Sequence, residues 1–208
     1  MNNVNENGIN RHNDKCDGRS MIEMLGVLAI IGVLSVGGIA GYSKAMHRYR
    51  VNKTIDQITY MAGAIRTFFA PQKSYKGLCS SIACWNPQTN GYDINGTLLL
   101  KKAKLIPDEM WESCGNGTNT YDCLKSIWGE DLIIGFDESD DGKTFYLYYL
   151  DTPTEYCIDI VTQDWSSLDA YLVDVQGDFK SAPPISLADA IDVCDTEWGA
   201  ADVVLYFK

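Results

Sequence analysis

Four groups of side chains in this sequence could do chemistry, and each makes a different demand on the chain around it. The first is a lone carboxylate: Glu23 carries the one charge in the run from Met21 to Tyr42. A charge held in hydrocarbon costs on the order of 3 kcal/mol by insertion scales, so such an acid needs a cation or water. The second group is the cysteines. Cys16 precedes the apolar run, and Cys79, Cys84, Cys114, Cys123, Cys157 and Cys194 follow it. An even set on one side of a membrane span fits disulfides formed in an oxidising compartment. A structural zinc site would favour tight C-x-x-C pairs, and the sequence has none. The third group is the acidic stretch Asp137-Glu138-Ser139-Asp140-Asp141-Gly142, where Asp137, Ser139 and Asp141 alternate as the first ligands of a calcium loop do. The twelfth position is Tyr148, not the bidentate glutamate such a loop requires, so a solvated hairpin turn is the favoured reading and calcium the alternative. The fourth group is two histidines, His12 and His47.

Catalysis finds little support among them. His12 lies ahead of the apolar run and His47 sits beside basic residues just after it, which leaves no histidine elsewhere for a nucleophile–His–acid arrangement. Paired carboxylates could in principle hydrolyse a glycoside. However, 28 acidic residues against 17 Lys and Arg, a formal net charge of -11, read as a solvated acidic surface. That surface repels nucleic acid and anionic lipid headgroups. The expectation is a protein that is not an enzyme and carries no cofactor other than the calcium candidate.

The elements that would position these groups start with the apolar run. Its 22 residues, at helical rise, reach about 33 Å, enough to cross a membrane. A cleaved secretory signal would be shorter and would end at a small-residue site. Here a helical pattern continues instead: Val51, Ile55, Ile58, Ala62, Ile65 and Phe69 form one apolar stripe, and Pro71 ends it. Gly37 and Gly41 add a small-x-x-x-small spacing that lets membrane helices approach closely. Basic residues flank the run on both sides, so orientation rests on the six cysteines, which place the C-terminal part outside the cytosol. Beyond the helix, Leu132–Phe136, Thr144–Leu150 and Tyr156–Val161 read as an antiparallel meander, with Asp202–Phe207 a fourth strand. Short helices are expected at Asn95–Ala103, at Asp122–Ile127 and from Ser186 onward, where Ser186 and Asp189 look like a helix start.

The order Gly18-Arg19-Ser20-Met21-Ile22-Glu23, followed by the apolar run, resembles the processing signature of type IV prepilins. In that family a peptidase cuts after the glycine and a glutamate stands fifth in the mature chain. Arg19 occupies the new first position, where the family more often has an apolar residue. The resemblance implies a leader over 1–18, a membrane and assembly half of the helix over 19–42, an amphipathic half over 43–70, and a globular domain over 71–208. It implies an α+β fold in which the long helix packs on a four-stranded antiparallel sheet. It assigns Gly18 and Arg19 to processing and Arg19 to N-methylation. Glu23 it assigns to assembly, facing the α-amino group of a neighbouring subunit. Cys79 with Cys84, and Cys114 with Cys123, are near enough to staple local loops. The family's disulfide-bounded C-terminal region, which forms much of the filament surface and helps pack subunits, matches Cys157 and Cys194. Spacing alone leaves fifteen pairings open.

The 18-residue leader and the chain length lean towards the type IVb-like members. The implied partners are copies of the chain itself, a prepilin peptidase and inner-membrane assembly machinery. The implied location is the inner membrane for the precursor, with a periplasmic C-terminal domain, and an extracellular pilus once assembled. Two rival readings share parts of this pattern. A pseudopilin of a type II secretion system has the same N-terminal signature, with a domain usually shorter and poorer in cysteine; major pseudopilins bind calcium in this part of the fold. A single-pass anchored periplasmic domain would keep residues 1–18 and form no filament.

Overall fold

The computed structural model describes residues 21–80, 85–86, 91–92, 94–115 and 120–208. In chain order the elements are α1 (Met21–Phe69), β1 (Trp85–Asn86), β2 (Gly91–Tyr92), α2 (Ile94–Lys102), β3 (Trp111–Gly115), β4 (Thr120–Leu124), β5 (Leu132–Phe136), β6 (Phe145–Pro153), α3 (Thr154–Val161), β7 (Ala170–Val175), β8 (Phe179–Ser181), α4 (Leu187–Cys194) and β9 (Ala200–Phe207). The chain divides into two units, one to Met46 and one from His47 on, and α1 contributes to both.

In the first unit every described side chain from Met21 to Ala45 is exposed. This stretch reaches a mean hydropathy of 2.2 over eighteen residues, and none of that window is buried. Its two serines bond within the helix: the Ser35 and Ser43 hydroxyls donate to the Ile31 and Ile39 carbonyls at 2.7 and 3.0 Å. That back-bonding satisfies a hydroxyl without water.

The second unit is built on a five-stranded antiparallel sheet in the order β5-β6-β9-β7-β8. Strand β6 alternates as a half-buried strand should, with Phe145, Leu147 and Tyr149 buried and Tyr146 and Tyr148 partly exposed. Those three pair in register with Phe207, Leu205 and Val203 of β9. They belong to one core cluster with Ile58, Met61, Ala62, Ile65 and Phe69 of α1. The spacing of the α1 residues is the stripe read from the sequence, and the helix stops at Phe69, two residues before Pro71. Outside the sheet, β3 and β4 make a separate hairpin and β1 and β2 a short ladder. Helix α4 is capped by Ser186, whose hydroxyl accepts from the Asp189 N–H at 3.2 Å and donates to the Asp189 carboxylate at 2.6 Å. The serine thus serves as a side-chain N-cap for the first turn.

Four features differ from the sequence reading. The sheet has five strands rather than four. The segment expected as a strand at Tyr156–Val161 is instead helix α3. Its buried residues, Tyr156, Cys157, Ile160 and Val161, fall on one helical face, and Pro153, the last residue of β6, stands at the N-cap with φ -57° and ψ 141°. The expected helix at Asp122–Ile127 is replaced by strand β4, which pairs with β3 through five residues from Trp111↔Leu124 to Gly115↔Thr120. Cross-strand pairing there overrides a weak local helix preference. The hairpin of β7 and β8 was not anticipated. Its connection is three residues long, Gln176 to Asp178, between the paired Val175 and Phe179; Gln176 and Gly177 both take positive φ, +60° and +78°, and the Asp178 N–H donates to the Val175 carbonyl at 3.3 Å.

These burial patterns separate the two halves of α1 energetically. Ile65→Ala is expected to destabilise the globular unit by about 2–5 kcal/mol, the usual range for a buried Ile. Ile30→Ala, in the exposed half, is expected to leave the urea midpoint of the globular unit unchanged. Chemical denaturation followed by near-ultraviolet dichroism compares the two.

Candidate functional site

The functional side chains read from the sequence lie in three places. Glu23 is in the first turn of α1 and exposed, at the helix end where the macrodipole favours an anion. Its neighbours Met21, Ile22, Leu25 and Leu28 are 86, 79, 67 and 62% exposed. Among the described residues no cation lies within ion-pair distance of its carboxylate. Gly18 and Arg19, the processing positions, lie outside the described residues, as do Cys16 and Cys84.

The cysteines form the second group. Cys114 and Cys123 join β3 to β4 across a Cα–Cα distance of 5.8 Å. Cys157 and Cys194 join α3 to α4 over a sequence separation of 37, also at 5.8 Å, with both residues fully buried. Cys79 is disulfide-bonded as well. The Thr154 hydroxyl adds a hydrogen bond to the Cys194 carbonyl at 3.1 Å. Helices α3 and α4 are therefore held as one layer at their crossing.

The acidic turn is the third group. The Asp137 carboxylate accepts from the Ser139 N–H at 2.8 Å, and the Asp140 carboxylate from the Lys143 N–H at 2.9 Å. Asp141 forms an ion pair with Lys76. Asp141 and Gly142 both have positive φ, and the Gly142 carbonyl accepts from the Tyr75 N–H at 2.7 Å. Burial pushes the Asp140 carboxyl up, but hydrogen bonds from Thr144, Lys143 and Gly142 outweigh it and hold the group below its ordinary value. The hydrogen bond from Lys76 does the same for Asp141. Asp137 and Asp141 thus serve different neighbours, one its own turn and the other the 74–76 loop. Among the described residues the one group of three potential metal ligands within 4.8 Å of each other is Cys114, Cys123 and Asp131, and two of those are spent on a disulfide.

The structure also gives work to residues that the sequence reading left aside. His47 Nε2 lies 2.8 Å from Asp159 Oδ2, and Nδ1 lies 3.4 Å from Glu155 Oε2. Its ring stacks on Tyr156 at 4.9 Å between centroids, and Tyr156 stacks on Trp128 at 5.7 Å. This clamps α1 onto α3. Further along, Lys53 pairs with Glu109 at 2.5 Å, and Gln57 Nε2 donates to the same carboxylate at 3.1 Å. Partners 52 to 112 residues apart leave no local mark in a sequence.

No family model matches the chain, and no curated protein matches it. Its fold does have a counterpart among solved structures. A type IVb pilin from Salmonella typhi matches with a TM-score of 0.50 and 15% sequence identity, covering 74% of this chain and 98% of that one. At that identity the likeness is one of fold: a long N-terminal helix on an antiparallel sheet, the α+β architecture expected from the sequence, with one strand more.

The Lys53–Glu109 contact sets a pH dependence. Hydrogen bonds from Lys53 and then Gln57 hold the Glu109 carboxyl below its ordinary value of 4.5, and the bond to Glu109 raises Lys53 above 10.5. The acid's contribution is complete above 4.5 and lost as pH falls through the depressed value. The base's contribution is complete below 10.5 and lost as pH rises through the raised one. Glu109→Gln is therefore expected to lower stability modestly at neutral pH, and the gap from the unmodified chain should close below pH 4.5. Urea denaturation at stepped pH measures that gap.

Proposed function

We propose that this chain is a structural, non-enzymatic subunit of a type IV pilus, made as a prepilin, cleaved after Gly18 and polymerised through α1. One observation carries the reading: a domain with the fold of a type IVb pilin continues into a helix whose first 25 described residues, Met21 to Ala45, leave every side chain exposed. Apolar surface of that extent needs a lipid or protein cover. A membrane covers it in the precursor, and copies of the same helix cover it in the filament.

Glu23 explains how the second cover becomes specific. Cleavage after Gly18 creates an α-amino group at Arg19. Along one helix that amine and the Glu23 carboxylate face each other poorly, whereas the amine of an adjacent subunit can reach the acid. In a low-dielectric filament interior the two neutralise each other, and an unpaired partner there is destabilised by about 3–5 kcal/mol. Six cysteines after the span and the length of the domain favour a pilus subunit over a secretion pseudopilin. The mature chain stands in the inner membrane with its disulfide-bonded domain in the periplasm until it is extracted into the filament.

Mass analysis of the mature N-terminus is expected to find Arg19 first, with or without a methyl group; an intact Met1 end would sink the proposal. Glu23→Ala is expected to insert and fold with an unchanged melting temperature, yet to reduce filament yield by about a hundredfold or more, the scale of an unpaired buried charge. Sheared filaments quantified against membrane-bound subunit give the ratio, and filaments at undiminished yield would remove Glu23 from assembly.

A further inference from the structure

The C-terminal surface carries an apolar patch that nothing described in the chain covers. Helix α4 turns Ala190 and Cys194 inward and presents Leu187 and Ile191, one turn apart, at 62% and 50% exposure. Just past the helix, Trp198 is 91% exposed, more than any other large hydrophobic residue described in the globular unit. A tryptophan in water is ordinarily free to move, but this one sits on a pinned turn. The Gly199 N–H donates to the Thr196 carbonyl at 3.0 Å, the Ala200 N–H to Thr196 Oγ1 at 3.2 Å, and Thr196 Oγ1 to the Ala200 carbonyl at 2.6 Å. Gly199 takes φ +70°, which suits glycine. From behind, the Cys157–Cys194 disulfide fixes the helix, and the Thr154 N–H holds the Gly199 carbonyl at 3.2 Å. A surface ordered in advance loses little entropy when it binds, and exposed tryptophan is a favoured anchor at protein interfaces.

The rim of this patch is acidic. Asp192, Asp195 and Glu197 are exposed, and among the described residues none of them has a cation within ion-pair distance. The complementary surface is on α1. Arg48 and Arg50 are also without a carboxylate partner, whereas Arg66 is paired with Asp169. No acid occurs between His47 and Asp56. Between the two arginines Tyr49 is 57% exposed. Arginine matches carboxylates in a two-pronged geometry that lysine cannot form, which favours this stretch over the unpaired Lys102 and Lys104.

We propose that the Leu187, Ile191 and Trp198 patch is a docking surface for a second copy of this chain. It seats α1 around the exposed Tyr49, with Tyr49 against the apolar patch and the arginines that flank it on either side, the exposed Arg48 and the half-buried Arg50, reaching the acidic rim. The contact rests on the filament reading and names the surfaces that meet in it; it uses neither Glu23 nor the new amine.

A photoreactive benzophenone side chain in place of Trp198, in the full-length chain expressed in its host, tests the contact. Irradiated filaments are expected to give a covalent dimer whose attachment maps to residues 48–53 of the other copy. Attachment at Lys102 or Lys104, elsewhere on the chain or to a different protein, or no dimer in filaments of normal yield, would overturn the docking surface and leave the filament reading intact. Absence of filaments from the unsubstituted chain would overturn both. Charge reversal supplies a second arm. Arg48→Glu with Arg50→Glu, and separately Asp192→Arg with Asp195→Arg, should each cut dimer yield at least tenfold, and all four together should restore most of it. Loss without restoration argues against the pairing.

Discussion

An α-helix satisfies its own backbone N–H and C=O groups, and on that property the rest of this molecule depends. A strand or loop with the side chains of residues 21–45 would leave polar backbone bare once water is removed. Helix α1 does not. It can show a largely apolar surface over its first half and, with no change of backbone geometry, present a buried stripe at Ile58, Met61, Ala62, Ile65 and Phe69 over its second. Even the serines of the first half turn back onto their own helix. The charged groups of that half stand at its two ends, Glu23 in the first turn and Lys44 just past the apolar run, and among the described residues neither has an ion-pair partner.

The globular unit solves a different problem, that of holding small elements in place at a surface. Helices α3 and α4 have only eight residues each, too short to be stable alone. A buried disulfide, a threonine hydrogen bond and the His47–Tyr156–Trp128 stack supply what length does not. The result is a rigid layer beside the sheet, from which the acidic rim and Trp198 are displayed.

How much of this could be read from the chain differs by element, for physical reasons. The stripe on α1 was legible because a period of 3.6 repeats through six residues, and β5 and β9 because hydrophobic β-branched runs end at turn residues. Helix α3 was misread because its β-branched and aromatic content suits a strand, although the spacing of Tyr156, Cys157, Ile160 and Val161 is helical. Strand β4 owes its form to a partner strand and a crosslink, which local sequence does not encode. For the site, the pattern around Gly18 and Glu23 stood out because a charge beside an apolar run is rare. His47, by contrast, could be noted as a histidine but not given a role: its partner Asp159 lies 112 residues away.

Strand β9 follows every other strand in chain order, yet it occupies the centre of the sheet, between β6 and β7. Until it arrives, β6 and β7 each offer a bare edge, and the two flanks of the sheet have nothing to join them. The two flanks therefore become one sheet only through the last segment of the chain, by contacts between strands far apart in sequence. Cys194 lies a few residues ahead of β9, so the Cys157–Cys194 crosslink ties the chain leading into the centre of the sheet back to the helix that follows β6.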